Sequence, residues 1–229
     1  MNYKTARDAA WAMLAKNHIT ELPIDVRKIC KSERVRVLTY EQGKEVIQSL
    51  GLEEHTREND AFSFARVIFY NDSTTPERQR FSIAHELGHI VLHASDGATV
   101  YNREVSPNDN PIESEANVFA SRLLAPLCVL HFLGVSSPQE ISALCAISAP
   151  ASEIRYRRLC EIRARDEQMR KKNGRGCFLL SPLERKIYRN FKRYIRKTKN
   201  NAQKMCIIFQ KPLDKCAKNV YNSSERRRQ

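Results

Sequence analysis

Residues 79–93 read QRFSIAHELGHIVLH and contain the pattern His-Glu-x-x-His at positions 85–89. Side chains four positions apart lie on one face of an α-helix, about 5–6 Å from each other, so His85 and His89 can bind one metal ion. Glu86 follows the first histidine, where its carboxylate can act as general base toward a metal-bound water. Thr75 and Pro76 predict the helix start, as N-cap and first helical residue. The stretch therefore predicts a zinc-binding helix.

The spacing of small and apolar residues predicts which face of this helix is buried. Phe81, Ala84, Gly88 and Val91 recur at helical spacing and form the expected buried face. Glycine costs helix stability, so Gly88 indicates close approach by another backbone. His93 lies too far along the helix to share the metal of His85, and is expected to interact with the helix end.

A second predicted helix supplies the third ligand. Asn110 and Pro111 predict its start and Pro126 its end. Its expected buried stripe consists of Ile112, Ala116, Phe119, Ala120, Leu123 and Leu124. Glu113 falls at the edge of that stripe, where a carboxylate is costly unless paired or bound to metal, whereas Glu115 is expected to be a solvated charge near Arg122. Glu113 is the predicted ligand, with helix capping as the alternative.

The two blocks together resemble the ImmA/IrrE metallopeptidases, which read R-F-T-x-A-H-E-L-G-H and then E-A-N-x-F-A-x-x-L-L-M-P. The resemblance covers roughly residues 60–165 and implies a zinc-dependent endopeptidase that cleaves a helix-turn-helix repressor, derepressing genes of a mobile element, prophage or stress response. Carried onto this chain, it implies His85, His89 and Glu113 as ligands of Zn²⁺ and Glu86 as catalytic base. Ser82 and Ala125 depart from the pattern without touching the ligands.

Two histidines and a carboxylate, with a fourth position left to water, are typical of a catalytic gluzincin-like site and not of a structural one. The alternative function is a non-catalytic, zinc-containing regulator that binds DNA or a protein partner. An intact Glu86 argues against it, because structural zinc needs no general base. For the oxyanion the sequence offers His93, Tyr101 and Arg122 as candidates, without a choice among them.

Composition predicts a soluble, cytoplasmic protein that does not bind membranes. The 229 residues are 41% hydrophobic, and the N-terminus lacks an apolar signal core. The seven cysteines, at positions 30, 128, 145, 160, 177, 206 and 216, form no C-x-x-C pair and are expected to be reduced thiols, mostly buried. Residues 1–150 carry a net charge of −4 and residues 151–229 a net charge of +17.

The expected fold class is α+β, and it divides into three parts. A zincin-like metallopeptidase domain with a small β-sheet, the His-Glu-x-x-His helix and the Glu113 helix occupies residues 1–132. A helix-turn-helix-like extension spans 133–165, broken at Ala149-Pro150; it either reads DNA or packs on the peptidase domain as a helical hairpin. A basic region at 166–229 contains a predicted amphipathic helix that binds nucleic acid or an acidic partner, or is solvated chain.

Overall fold

The computed structural model describes residues 3–93, 110–173 and 181–209. Within these ranges the chain forms ten helices and a three-stranded sheet, which confirms the α+β class. The helices are α1 (Tyr3–Lys16), α2 (Val26–Ser32), α3 (Lys44–Ser49), α4 (Glu53–Glu58), α5 (Pro76–Leu92), α6 (Pro111–Leu124), α7 (Leu127–Leu133), α8 (Pro138–Cys145), α9 (Ala149–Asn173) and α10 (Pro182–Phe209). The strands are β1 (Arg36–Thr39), β2 (Ala61–Phe64) and β3 (Val67–Tyr70).

The sheet has the order β1-β3-β2 and packs beside α5. β1 pairs with β3 in parallel, and β2 pairs with β3 antiparallel, with Phe62 opposite Phe69. A tight turn joins β2 to β3 through Ala65, which adopts a positive φ of 50°. Among the described strands β2 has a neighbour on one side only, and α5 contacts both β2 and β3.

The two helices of the predicted site form where the capping residues place them. Thr75 accepts a hydrogen bond from the backbone N–H of Arg78 at the start of α5, and Asn110 accepts one from Ile112 at the start of α6. Gly88 lies at their crossing. A Cβ there would come within 3.2 Å of Ala116 Cα, so the close backbone approach that Gly88 predicts is confirmed.

Some local predictions were wrong. Val91 is 37% exposed, whereas the adjacent Ile90 is 8% exposed, so the buried face at this end of α5 runs through Ile90 and not through Val91. The Ala149-Pro150 pair does not break the chain; it opens α9, where proline fits the first helical turn. The break between α8 and α9 lies just before it, with Ala146 in the left-handed conformation.

The helices that follow α7 pack against the first part of the chain. Arg80 of α5 donates hydrogen bonds to the carbonyl oxygens of Cys145 and Ala146, and Tyr156 of α9 donates one to Ser136. The apolar face of α10 is buried against α1 and α7 through Ile187, Phe191 and Ile195. The part of α10 from Pro182 to Ile195 is therefore a packed element of the fold.

The stretch Pro111–Leu133 is the one described segment with the length and hydropathy of a membrane span, with a mean hydropathy of 1.5. It consists of two helices, α6 and α7, separated at Ala125 and Pro126. Within the fold 61% of this window is buried, since α6 contacts both α1 and α5. Core helices pass the same test of length and composition.

Three cysteines lie in the core and one on the surface. Cys30, Cys128 and Cys145 are buried, and burial raises the pKa of each thiol, to about 12 for Cys30 and Cys145. Cys160 on α9 is exposed. These four are free thiols; Cys177 and Cys216 lie outside the described residues.

Candidate metal centre

Three side chains from two helices meet at one point in the interior. His85 and His89 of α5 place their Nε2 atoms 2.9 Å apart. Glu113, in the first turn of α6, places one carboxylate oxygen 3.2 Å from each of these nitrogens. All three residues are at least 95% buried. The structure therefore brings together the two histidines and the glutamate that the sequence singles out.

The spacing of these donors fits a tetrahedral metal ion. Atoms about 2.0–2.2 Å from one zinc ion lie roughly 3.3 Å from each other at tetrahedral corners. The two Nε2 atoms lie 2.9 Å apart, and each lies 3.2 Å from a different oxygen of the Glu113 carboxylate, which is close to that value. Two imidazole nitrogens and a carboxylate oxygen also match the donors that zinc takes in catalytic sites. The residues present thus fit zinc in number, kind and distance, with one corner left open.

Glu113 is ionised in this cluster despite its burial. Burial alone would raise the pKa of its carboxyl, but hydrogen bonds from His85 and His89, together with their charge, bring that pKa well below its ordinary value. A carboxylate among imidazoles also offers the negative charge that a cation needs when it leaves water.

Asn117 orients the first histidine. Its Oδ1 lies 3.0 Å from Nδ1 of His85, on the ring edge opposite the other two donors. When His85 binds a metal ion through Nε2, its Nδ1–H can donate a hydrogen bond to this amide oxygen, which fixes the tautomer and the ring orientation. Asn117 lies four positions after Glu113, on the same face of α6, so one helix supplies both a donor and the group that orients another.

Glu86 lies beside the cluster and is held from the sheet. Its Oε2 accepts a 2.8 Å hydrogen bond from the hydroxyl of Ser63 on β2, and both side chains are buried. This bond occupies one carboxylate oxygen and leaves the other for a proton-transfer partner. Glu86 also lines a cavity of about 240 Å³ together with His85 and Glu113.

This metal cavity is lined in part by a charged side chain, Arg78, and adjoins a second, mainly apolar cavity. Arg78 lines it and pairs with Asp60 at 2.5 Å. Arg78, Phe81 and Asn117 also line a second cavity of about 530 Å³ between the start of α5, α6 and the start of α9. The remaining walls of the second cavity are mainly apolar and include Leu124, Ala125, Ile147, Ala151 and Ile154. The two cavities therefore share a wall.

Other sequence candidates lie away from the cluster. His93 is the C-cap residue of α5, and its Nε2 lies 3.9 Å from a carboxylate oxygen of Glu115. Glu115 was expected to be solvated near Arg122; its side chain is only 19% exposed and lies beside His93 instead. Arg122 lies near the other end of α6, about 13 Å along the axis from Glu113, too far to contact a group at the cluster. Tyr101 lies outside the described residues.

Comparison with known proteins agrees with this geometry. Residues 30–133, from α2 to the end of α7, match the peptidase M78 family, described as the IrrE N-terminal-like domain. The matched segment covers 104 of the 229 residues and contains His85, His89 and Glu113. A segment of 63 residues is 38% identical to the radiation response metalloprotease IrrE of Deinococcus radiodurans. This match covers 26% of the chain and 19% of that protein.

Sequence reasoning missed two residues of this candidate metal centre. Asn117 stands in the E-A-N motif and four positions after Glu113, a spacing that points to the same helix face. Ser63 is a polar residue on a short strand, and a strand's period of two places it on the same face as Ala61, which lines the metal cavity. Its contact with Glu86 joins residues 23 positions apart, which no local pattern reveals.

Proposed function

We propose that the protein is a zinc-dependent endopeptidase, with His85, His89 and Glu113 as ligands and Glu86 as general base. The observation that carries this proposal is a buried carboxylate, Glu86, at the wall of a cavity that two of the three metal-type donors, His85 and Glu113, also line. A structural zinc site uses four protein ligands and no neighbouring base. A non-catalytic regulator would have no use for Glu86 in this position.

The chemistry of peptide hydrolysis divides among the residues of the cavity. Zinc, when bound, supplies a Lewis acid that polarises a peptide carbonyl and makes water more acidic. Glu86 accepts the proton of the attacking water and then gives it to the leaving amine. Ser63 fixes one oxygen of Glu86, so that the other keeps its direction during both transfers. Asn117 fixes the ring of His85.

The surroundings of the centre suit an extended peptide. Ala61 and Ser63 place one end of β2 at the metal cavity, and the edge of β2 away from β3 can accept a substrate strand through backbone hydrogen bonds. The adjoining cavity of about 530 Å³ is large enough for an apolar side chain next to the scissile bond. Arg78, which lines both cavities, is placed to contact the substrate backbone.

The proposed substrate is a helix-turn-helix transcriptional repressor, whose cleavage would derepress the genes it controls. Similarity to the IrrE-like family and to a radiation response metalloprotease supports this class. The division into a peptidase domain at 1–132, a helix-turn-helix-like extension at 133–165 and a basic region at 166–229 is part of the same proposal.

The decisive experiment is incubation of the full-length protein with the repressor encoded beside its gene. Fragments are identified by mass spectrometry, with and without a chelator, and the Glu86→Gln variant serves as the matched control. We expect cleavage at one site in the presence of zinc, and none with chelator or with the variant. An intact repressor in every arm would overturn the assigned substrate, and zinc-independent cleavage would overturn the mechanism.

The basic face of α10 favours nucleic acid as an additional partner. Its cationic side chains are exposed, while the opposite face packs on the core. The exposed set is Arg185, Lys186, Arg189, Lys192, Arg193, Arg196 and Lys197. If phosphates bind here, the log–log slope of affinity against salt should change by about 0.9 for each phosphate contact removed. Replacing Arg193 and Lys197 with Gln and titrating duplex DNA at two salt concentrations tests this, and an unchanged slope would exclude this face.

A further inference from the structure

A separate cavity of about 480 Å³ lies near the C-terminal end of α6 and carries a strong positive charge. Its walls come from α1, α6, α7, α9 and the start of α10. Five arginines line it, Arg7, Arg122, Arg155, Arg158 and Arg165, against two carboxylates, Asp166 and Glu184. None of these side chains lines the metal cavity; Arg155 also lines the adjoining cavity of about 530 Å³.

Arg155 is the deepest of these cations. It is 3% exposed, and it donates hydrogen bonds through Nε and Nη2 to the carbonyl oxygen of Ala125, at the C-cap of α6. Its Nη1 is buried without a hydrogen-bond partner among the described residues, and no described carboxylate lies within ion-pair distance of it. A buried charge is costly unless a counter-charge accompanies it. The fold itself supplies only a neutral acceptor.

Trp11 adds a second buried donor to the same walls. Its side chain is 7% exposed, and its indole Nε1–H has no hydrogen-bond partner in the described part of the chain. The guanidinium of Arg7 lies 4.7 Å from the centre of the indole ring and holds it from one side. Two well-buried side chains of this cavity, Trp11 and Arg155, thus keep an unused donor each.

Arg122 is surrounded by charge of its own sign. Burial, followed by the positive charges of Arg158 and Arg7, lowers the pKa of its guanidinium. Its one described hydrogen bond, to the hydroxyl of Ser121, is long at 3.4 Å. Arg7 pairs with Asp8 and Arg158 with Glu161, whereas Arg122 has no carboxylate partner among the described residues. Like charges held together in a concave site attract an anion.

We propose that this cavity binds a small anion that carries at least two phosphate or carboxylate groups. Arginine is suited to both groups, because its planar donors bind two oxygens at once. The apolar side chains of Leu127, Ile162 and Met169 complete the walls, so the bound molecule has a carbon skeleton between its charged groups. The cavity volume of about 480 Å³ fits a metabolite-sized molecule. Duplex nucleic acid cannot reach Arg155, which lies below the surface.

The single tryptophan of the chain, Trp11, lines this cavity, so its fluorescence can report the binding of a ligand there. Fructose 1,6-bisphosphate and tricarballylate serve as probes for phosphate and carboxylate chemistry, and fructose as the neutral control, all at constant ionic strength. We expect a saturable change in Trp11 fluorescence with at least one of the two anions and none with fructose. Tighter binding of the first assigns a phosphorylated ligand, and tighter binding of the second a polycarboxylate.

Paired variants separate a built site from general electrostatic attraction. Arg122→Gln and Arg158→Gln each remove one lining charge, and we expect each to weaken binding about tenfold or more, as for loss of a charge-assisted hydrogen bond. Arg157→Gln removes an exposed charge from the same turn of α9 and should leave the affinity unchanged. Circular dichroism verifies that each variant is folded. Equal weakening by all three variants, or no saturable response to either anion, would overturn the proposal.

Discussion

The two ends of α6 place a charged side chain in opposite electrostatic surroundings. At its first turn, the carboxylate of Glu113 lies 3.2 Å from the ring nitrogens of both His85 and His89. Near its last turn, Arg122 lies beside Arg7 and Arg158, which carry the same charge. The first environment lowers the pKa of an acid and so favours its charged form. The second lowers the pKa of a base and so disfavours its charged form.

This difference separates two kinds of site on one helix. Around Glu113 the chain supplies two histidines as partners, and the three side chains can together hold a cation. Around Arg122 and Arg155 the described residues leave positive charge uncompensated, and an outside anion completes the site. Substitutions at the two ends should therefore have different effects. At the first end we expect loss of zinc binding and cleavage. At the second we expect loss of anion binding with little change in the free energy of unfolding.

The largest expected effect comes from Glu86→Gln. The amide keeps the shape of the side chain and can still bind Ser63, but it cannot accept a proton from water. We expect the cleavage rate to fall by roughly 10²–10⁴, with zinc content unchanged. Single-turnover cleavage and metal analysis on the same sample check both parts. A variant that cleaves at the original rate would remove Glu86 from the mechanism.

Glu113→Ala should have the next largest effect, because it removes one of three protein donors. We expect zinc affinity to fall by more than the roughly 10–100-fold that loss of an orienting group costs. Glu115→Ala is the matched control, since it lies two positions along the same helix and contacts His93, outside the cluster. Competition with a zinc-binding dye measures both affinities. The opposite ranking would mean that Glu113 is not the ligand.

Asn117→Ala sharpens the comparison within the metal end of α6. Without the amide oxygen, the ring of His85 loses the partner that fixes its orientation and tautomer. We expect zinc affinity to fall roughly 10–100-fold while the fold is retained. Ser114→Ala provides a control on the same helix. If Asn117→Ala bound zinc as the parent protein does, packing alone would hold His85 in place.

Gly88→Ala tests the close contact that brings the two helices together. The added methyl carbon would lie 3.2 Å from Ala116 Cα and 3.3 Å from its carbonyl oxygen. Backbone atoms of Ala116 cannot easily shift to make room for the methyl group, so overpacking should lower the free energy of unfolding by about 1–3 kcal/mol. Chemical denaturation measures this. Val91→Ala, at an exposed position of the same helix, should cost much less, and an equally stable Gly88→Ala would show that the helices can separate.

The smallest expected effect is that of Arg122→Met on the stability of the ligand-free protein. Methionine keeps the apolar stem and removes the charge that Arg7 and Arg158 repel. We expect the free energy of unfolding to rise by a few tenths of a kcal/mol, measured by denaturation at low salt. A clear decrease would show that the cluster around Arg122 is stabilising, and that the two ends of α6 do not differ as described.

The sequence predicts the elements whose signals are local. Thr75-Pro76 and Asn110-Pro111 mark the starts of α5 and α6, because a capping oxygen followed by proline satisfies the first turn by itself. The strands between 61 and 70 are rich in aromatic and β-branched residues. By contrast α3 and α4 were not predicted: each has six residues and begins without a capping side-chain hydrogen bond.

The remaining gaps concern contacts between distant parts of the chain. Ser63 reaches Glu86 from a strand, and Glu115 meets His93 across two helices; helical periodicity cannot reveal either contact. The C-terminal region gives a similar lesson. Its amphipathic helix was predicted, but the burial of Ile187 and Phe191 against α1 and α7 means that a protein truncated near Asp166 would lose part of its core. Charge substitutions on the exposed face of α10 are the better test of that region.

The labelling rates of the three buried cysteines can measure how often different regions of the protein open locally. Alkylating reagents attack the thiolate, and burial with a raised pKa keeps Cys30, Cys128 and Cys145 from reacting while their helices stay packed. These thiols lie in α2, α7 and α8, so each labelling rate reports the opening of a different region. With the cysteines at 160, 177, 206 and 216 replaced by serine, mass spectrometry can measure the labelling rates of the three buried cysteines in one sample. Faster labelling at Cys145 than at Cys128 would mean that α8 opens while the core around α7 stays closed.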